Sequence, residues 1–467
     1  MENKPGRDLT TGSIPRHLLA FALPMLVGNL LSTGYSIINT LWVGNILGGN
    51  AVGATAVSFP IIFILIALAS GATMATSILV SQYYGAKDFS MVRKVVNNSY
   101  FISLVLSVIL TVGGFLFGDS LLRLVGTPPE IFADASGYLR ILVAGILFFY
   151  VYFLLTSILR GIGDTMTPLI FLTASTLLNA ILDPLLIMGI GPFPKLGLNG
   201  AALASLISQI AAVLLGLYYI NKKYPILGLH PSELRFDKQI VWLILKIGFP
   251  SMIQQSLVGI GAAVVTRFVN GFGATAIAAF GAASRIDSLA MMPTMSMAMA
   301  ASAITGQNLG ARKPERIKSI FKWGIILNLL ITSLITILAL CIPELILSAF
   351  VHDKAIISIG ATYLRIIGPS YLLFAVMFVT NGIINGSGHT TVTMFITLAA
   401  LWFLRVPLAA FLSRTSLGLT GIWLAMLLGF AFGTLMSLAY YYSGKWKKSV
   451  LKFRPPMPES ATSTGGL

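Results

Sequence analysis

Apolar residues run through this chain in long blocks, without the alternation of a strand or the narrow stripe of a soluble amphipathic helix. Blocks bounded by charges, glycine or proline fall near 16–44, 51–82, 92–118, 135–161, 166–190, 200–222, 241–270, 274–306, 317–343, 358–386, 390–413 and 418–443. About 20 apolar residues in helical form span the hydrocarbon core of a bilayer, and a helix satisfies its own backbone there. The pattern therefore predicts an all-α polytopic membrane protein of twelve transmembrane helices. Basic residues mark alternate connections: Lys87, Arg93 and Lys94 after helix 2, Lys222, Lys223, Arg235 and Lys238 after helix 6, Arg312, Lys313, Arg316 and Lys318 after helix 8, and Lys445, Lys447 and Lys448 after helix 12. The opposite connections, such as GNILGGN and GDSLLRLVGTPPEIFADAS, are nearly bare or acidic. Positive loops stay inside, so both termini are expected in the cytoplasm and the protein in the inner (cytoplasmic) membrane.

Composition changes this picture little. Of 467 residues, 56% are apolar and only 10% charged, less than half the charge of a soluble domain. The net charge of +16 is the topological bias just described and does not call for nucleic acid. Cys341 stands alone, and His17, His230, His352 and His389 are too scattered for a metal site, which removes disulfide and zinc chemistry. No short apolar run ending in a small-residue cleavage site opens the chain, so helix 1 is expected to stay.

The chain is also duplicated. SQYYGAKD at 81–88 returns as TGQNLGAR at 305–312, YLRI at 138–141 as YLRI at 363–366, ILRGIGDT at 158–165 as IINGSGHT at 383–390, and GLNGAALA at 197 as GLTGIWLA at 418. Gln82 to Gln307, Tyr138 to Tyr363 and Gly161 to Gly386 all step by 225 residues. Six helices per half put both halves in the same orientation, which relates the lobes by a pseudo-two-fold axis along the membrane normal. The expected organisation is a tail at 1–15, an N-lobe at 16–222, a polar linker at 223–240, a C-lobe at 241–443 and a basic tail at 444–467. Such a plan places substrate in the cleft between lobes.

LPMLVGNLL in helix 1, ILRGIGDT after helix 4, NAILDPLLI in helix 5, GQNLGARKPE after helix 8 and FLRVPLAA in helix 11 resemble the multidrug and toxic compound extrusion (MATE) transporters across roughly residues 15–445. The resemblance implies a two-lobe antiporter that exports amphipathic organic cations against inward flow of protons or sodium ions, closest to the DNA-damage-inducible branch. It implies no enzymatic activity and no cofactor.

Asp183 and Asp287 are the acids that fall well within predicted membrane helices. A charged Asp at the centre of such a helix costs roughly 2.5–3.5 kcal/mol, so it needs a reason. Asn179 stands one turn before Asp183 on the same face, and Pro184 after it frees a backbone carbonyl, so a proton, cation or water has polar atoms to share. DPLL at 183–186 corresponds to VPLA at 406–409, so Val406 stands where the N-lobe has Asp183 and the titration chemistry concentrates in the N-lobe. By resemblance, the ion-coupling pair is Asp183 and Asn179, with sodium the possible metal there, and the substrate pocket is Asn39, Tyr138, Asn179 and Asp183, with Thr156 as a fifth member. Many relatives carry an aspartate where this chain has Asn39, so a mechanism sharing one proton between two carboxylates is not expected. Helices 7 and 10, acidic in a sodium-coupled branch, carry no acid here.

Other positions have plainer readings. Asp287 and Arg285 are two apart and point to opposite sides of a helix, so Asp287 is expected to form a structural ion pair with a cation from elsewhere, such as Arg267. Met291, Met292, Met295, Met297 and Met299 surround Pro293, where thioethers fit both packing and a pocket for varied apolar shapes. Arg405 repels cations or serves a local carbonyl. Gly28, Gly34, Gly44, Pro24 and Pro60 offer bending points in helices 1 and 2. The tail KWKKSVLKFR suits anionic membrane lipids. Small amphipathic molecules, protons or sodium ions and lipids are thus the expected partners of a monomer. The alternative is a flippase for lipid-linked oligosaccharide or another lipid from the same superfamily, which commonly needs a more cationic cavity. A prenyltransferase would need clustered aspartates for magnesium, and a channel would not need two lobes.

Overall fold

The computed structural model describes residues 6–229 and 236–447; His230, Arg235 and the tail from 448 lie outside the described residues. Within them every regular element is helical. The first half contains α1 (Ile14–Leu47), α2 (Gly49–Gly85), α3 (Phe89–Leu124), α4 (Pro129–Ala144), α5 (Ile146–Gly161), α6 (Met166–Met188) and α7 (Leu198–Lys223). The second contains α8 (Lys238–Asn270), α9 (Ala274–Gly310), α10 (Glu315–Cys341), the short α11 (Pro343–Ser348), α12 (Lys354–Ile367), α13 (Ser370–Gly386), α14 (Thr390–Thr397), a π-helix (Leu398–Arg405), α15 (Val406–Leu412) and α16 (Gly418–Tyr442). Ten continuous spans and two bent pairs make the twelve membrane helices that the apolar blocks predict.

The breaks between helices fall in other spans than those that carry Pro24 and Pro60. α1 and α2 run on through Pro24 and Pro60. The fourth span breaks by 49° at Gly145, between α4 and α5, and the tenth by 47° between α12 and α13, at Gly368–Pro369. A break frees carbonyls that lipid cannot satisfy. Thr111 of α3 donates to the Val143 carbonyl (3.3 Å) and Thr336 of α10 to that of Gly368 (3.1 Å), at positions equivalent under the repeat. The ion pairs Asp119–Arg140 (2.7 Å) and Glu344–Arg365 (2.6 Å) are repeat equivalents too, and tie neighbouring helices at the end of the bundle away from the chain termini.

At the end that carries the termini the two halves interlock. Ile240, Ile244 and Ile247 of α8 share one buried cluster with α2, α3 and α5, while Ile14, Leu18 and Phe21 of α1 share another with α9, α10 and α13. Each half thus sends its first helix against the other. Buried Gln82 donates to the Gly386 carbonyl (2.8 Å), and its counterpart Gln307 donates to that of Gly161 (3.1 Å). Gly85 and Gly310 allow this approach: a Cβ there would stand 2.0 Å from the Gln307 carbonyl oxygen and 1.9 Å from that of Gln82. The segment before α1 lies across the seam, with the Leu9 amide donating to Gln307 (3.0 Å), Asn308 to the Leu9 carbonyl (3.1 Å) and the Arg7 amide to the Ile162 carbonyl (2.9 Å).

Candidate functional site

Asp183 is completely buried in α6. Its Oδ2 accepts a hydrogen bond of 3.0 Å from the Asn39 amide of α1, so the charge-bearing side chain is held from a second helix. The Asn39 amide also reaches the Tyr35 hydroxyl (3.4 Å), one turn back on the same face, and Tyr35 pairs with Ser205 of α7 at 3.1 Å. Asn179, likewise buried, donates to Ser205 at 3.3 Å. Five side chains from α1, α6 and α7 therefore form one polar island in the N-lobe. α7 reaches it because Gly200 lies against α6, where a Cβ would stand 2.4 Å from the Leu186 carbonyl oxygen. Gly28 of α1 similarly rests on Leu169 and Leu172 of α6.

The island is not internally complete. Asp183 Oδ1 and Asn179 Oδ1 are buried and have no hydrogen-bond partner among the described residues. Both are acceptors when the carboxylate is ionised, and they sit one helical turn apart. A proton on the carboxylate, an ammonium group or a small cation would satisfy them, because unmet buried acceptors cost about 1–3 kcal/mol each. No group of three or more His, Cys, Asp or Glu side chains suited to a metal ion occurs among the described residues, so sodium would rest on these oxygens and on backbone.

Of the expected pocket, Asn39, Asn179 and Asp183 are brought together. Tyr138 of α4 is half-buried against the apolar cluster that includes Leu139 and Val143, with its phenol in electrostatic reach of Asp183. Thr156 is separate: its hydroxyl donates to the Phe153 carbonyl of its own helix (2.9 Å) and no hydrogen bond joins it to the island. Tyr35 and Ser205 were missed. Tyr35 had a signal, since it precedes Asn39 by four residues. Ser205 had none beyond a hydroxyl in an apolar helix.

The expected ion pair at Asp287 does not form among the described residues. Asp287 accepts from the Tyr363 hydroxyl of α12 through a short hydrogen bond and from that of Tyr371 in α13 at 2.7 Å. The two tyrosines flank the Gly368–Pro369 break, so one carboxylate clamps both arms of the bent span. Neither Arg267 nor Arg285 pairs with an acid among the described residues; Arg285 lies 5.5 Å from the Phe350 ring centroid. Spacing along one helix excluded Arg285, but could not show that hydroxyls from another span would replace a cation. Arg405 Nε donates to no carbonyl among the described residues either: the guanidinium lies 3.7 Å over the ring of Phe430. Met291 packs against the C-lobe core and Met297 is buried, whereas Met295 and Met299 are 44% and 39% exposed.

Comparison with known proteins follows the same outline. The MatE family model matches twice, over residues 24–185 and 250–411, once per half. The chain is 35% identical to the probable multidrug resistance protein YoeA of Bacillus subtilis, over 93% of this chain and 95% of that protein. It is 28% identical to the probable multidrug resistance protein NorM of Thermotoga maritima, over 96% of each. Among solved structures, a crystal structure of MATE in the bent conformation superposes with a TM-score of 0.88 at 25% identity, covering 95% of this chain and 97% of the other. The outward-facing conformation of a multidrug resistance MATE family transporter gives 0.86 at 25% identity, covering 95% and 98%.

Proposed function

This chain belongs to the MatE family, and on that premise we propose that it is a secondary multidrug efflux antiporter. It exports amphipathic organic cations in exchange for protons or sodium ions, by alternating access of two lobes across the cytoplasmic membrane, with both termini inside. The predicted spans at 241–270 and 358–386, which carry no acid, favour the DNA-damage-inducible branch, while Asn39 is a departure from the aspartate of many relatives. The names of its relatives support drug export, and the N-lobe island supports coupling.

The observation that carries this reading is Asp183: a fully buried carboxylate in a membrane span, held by one amide and paired with no cation among the described residues. A salt bridge would lock its charge in place. A single neutral donor leaves it free to be neutralised by a proton, a sodium ion or the ammonium group of a substrate, and these compete. Each ligand biases the inward and outward states only by its differential affinity for them. Exchange follows when the ion favours one state, the substrate the other, and the empty site cannot readily change state. Asn39 makes α1 the element that senses the change, because its hydrogen bond is to the atom being neutralised.

The test is export of a cationic dye from proteoliposomes under proton and sodium gradients imposed separately. Export driven by either gradient, and lost in Asp183→Asn at matched reconstitution, is the expected result. Equal export by the variant would remove Asp183 from coupling, and movement of a labelled lipid-linked sugar instead of dye would favour the flippase reading.

A further inference from the structure

Residues 6–13, ahead of α1, belong to no helix and touch both halves of the molecule. Toward the first half, the Arg7 amide donates to the Ile162 carbonyl (2.9 Å), in the turn that follows α5. The approach is close: a Cβ at Gly163 would lie 2.9 Å from the Arg7 carbonyl oxygen, and one at Gly6 2.6 Å from that of Ile162. Toward the second half, the Leu9 amide donates to the Gln307 side chain (3.0 Å) and Asn308 to the Leu9 carbonyl (3.1 Å). Lys313 donates to the Thr10 carbonyl (3.0 Å) and Arg316 to that of Gly12 (2.8 Å). Two basic residues that the loop pattern explains by topology alone thus also grip the main chain of this segment.

Its shape follows from three side chains. Asp8 Oδ1 accepts from the Thr10 amide (2.8 Å) and hydroxyl (2.7 Å), and Oδ2 from the Thr11 hydroxyl (3.3 Å), which turns the chain. The turn leaves Asp8 exposed and sends Leu9 inward, where it is only 1% exposed. There Leu9 shares a cluster with Ile304, Leu309 and Ile317 of α9 and α10, while its Cδ1 faces the first half, 3.3 Å from where a Gly163 Cβ would stand. One apolar side chain therefore plugs the seam. The attachments are unequal: four of the hydrogen bonds named go to the second half and one to the first. The segment also leads into α1, whose Ile14, Leu18 and Phe21 pack on the second half. It must travel with that half when the two part, so the contacts that break are Arg7 to Ile162 and Leu9 to Gly163.

We propose that residues 6–13 are a latch, fixed to the second half and catching on the first, that holds shut the end of the bundle carrying the termini. It rests on the alternating-access reading for the opening that it restrains, and not on the coupling role of Asp183. The test uses purified transporter with a single thiol, Ser81→Cys in a Cys341→Ser background, at a fully buried position facing Gly306 across the seam. A membrane-impermeant maleimide labels it only when this end opens. Leu9→Asn puts an amide among apolar side chains while the latch is shut and into water once it lifts, so labelling should speed up at least about tenfold. Deletion of residues 2–8 removes the Arg7 bond and the Asp8 turn, leaves every helix whole, and should speed it up at least about threefold, the loss of one hydrogen bond; it decides the matter if Leu9→Asn does not fold. Leu122→Ala, a cavity in the N-lobe core cluster that holds Val43 and Ile131, should lower Tm without speeding labelling. Rates within twofold of the parent in the latch variants, or an equal rise in Leu122→Ala, would overturn the proposal. The labelling needs neither a gradient nor Asp183, so failure here leaves the coupling reading standing, and retained export by Asp183→Asn would leave the latch standing.

Discussion

Gln307→Ala should spring open the end of the bundle that carries the termini. The side chain is fully buried and makes two hydrogen bonds across the seam, to the Gly161 carbonyl and from the Leu9 amide. Truncation strands both backbone groups, at about 1–3 kcal/mol for each. When the lobes part at this end, water reaches the same groups and the penalty vanishes, so it falls on the closed state alone. A bias of about 2–6 kcal/mol lowers the closed-to-open ratio by at least about 30-fold. The reporter is Ser81→Cys in a Cys341→Ser background, which leaves a single thiol; Ser81 is fully buried, and Gly306 opposite it has no room for a Cβ, which would lie 2.0 Å from Ser81 Oγ. Labelling by a membrane-impermeant maleimide then reports opening, and its rate should rise by at least about 30-fold where opening is fast relative to labelling. Gly85→Ala and Gly310→Ala, which drive a Cβ into facing carbonyls, should raise it too. A rate within twofold of the parent for Gln307→Ala, with thermal stability intact, would show that the glutamines do not hold the seam.

Four further outcomes are expected. Asp183→Asn should insert normally but lose gradient-driven export, with wild-type substrate binding weakening at low pH and that of the variant not doing so; equilibrium binding across pH checks this. Asn39→Asp supplies a second carboxylate to the island and should raise the protons exchanged per substrate or move the pH profile of transport, and no change in either would mean that Asn39 plays no part in coupling. Tyr371→Phe leaves Asp287 Oδ1 without its donor and should destabilise the C-lobe by about 1–3 kcal/mol, seen as a lower Tm in scanning fluorimetry; an unchanged Tm would refute the clamp. A reporter fused near Lys222 should be cytoplasmic and one near Asp134 external, and both on one side would break the twelve-helix topology.

The number of spans was legible because the bilayer imposes a length on every helix, and length survives in the order of apolar residues. The duplication was legible for the same reason: Gln82 and Gln307 recur inside recognisable octapeptides. Their reciprocal bonding was not, because each reaches a backbone carbonyl of the other half, and carbonyls have no sequence identity. Asp183 announced itself as a charge in apolar surroundings, and Asn179 by its spacing. Asn39 needed a resemblance to be placed, since its partner lies 144 residues away. Asp287 was visible but misread: its partners are tyrosines, and a phenol in a membrane span looks like packing until the acceptor is seen. The π-helix at Leu398–Arg405 left no mark that residue types alone reveal.

Why some features come in pairs and others do not follows from the axis between the lobes. A bond from one lobe to the other at an axis of this kind meets its own image, so Gln82 to Gly386 entails Gln307 to Gly161, and the close approach at Gly85 entails that at Gly310. The bend-satisfying threonines and the ion pairs at the opposite end lie within a lobe, yet they recur as well, because each lobe must bend to enclose a cleft. Charge does not follow the repeat. Val406 stands where the duplication would put a second Asp183, and the C-lobe's own membrane carboxylate, Asp287, is tied by Tyr363 and Tyr371 to both arms of the bent span. A carboxylate held by two hydroxyl donors is fixed in place, whereas Asp183 takes one hydrogen bond and leaves Oδ1 without a partner among the described residues. The scaffold is duplicated; the singly held carboxylate is not.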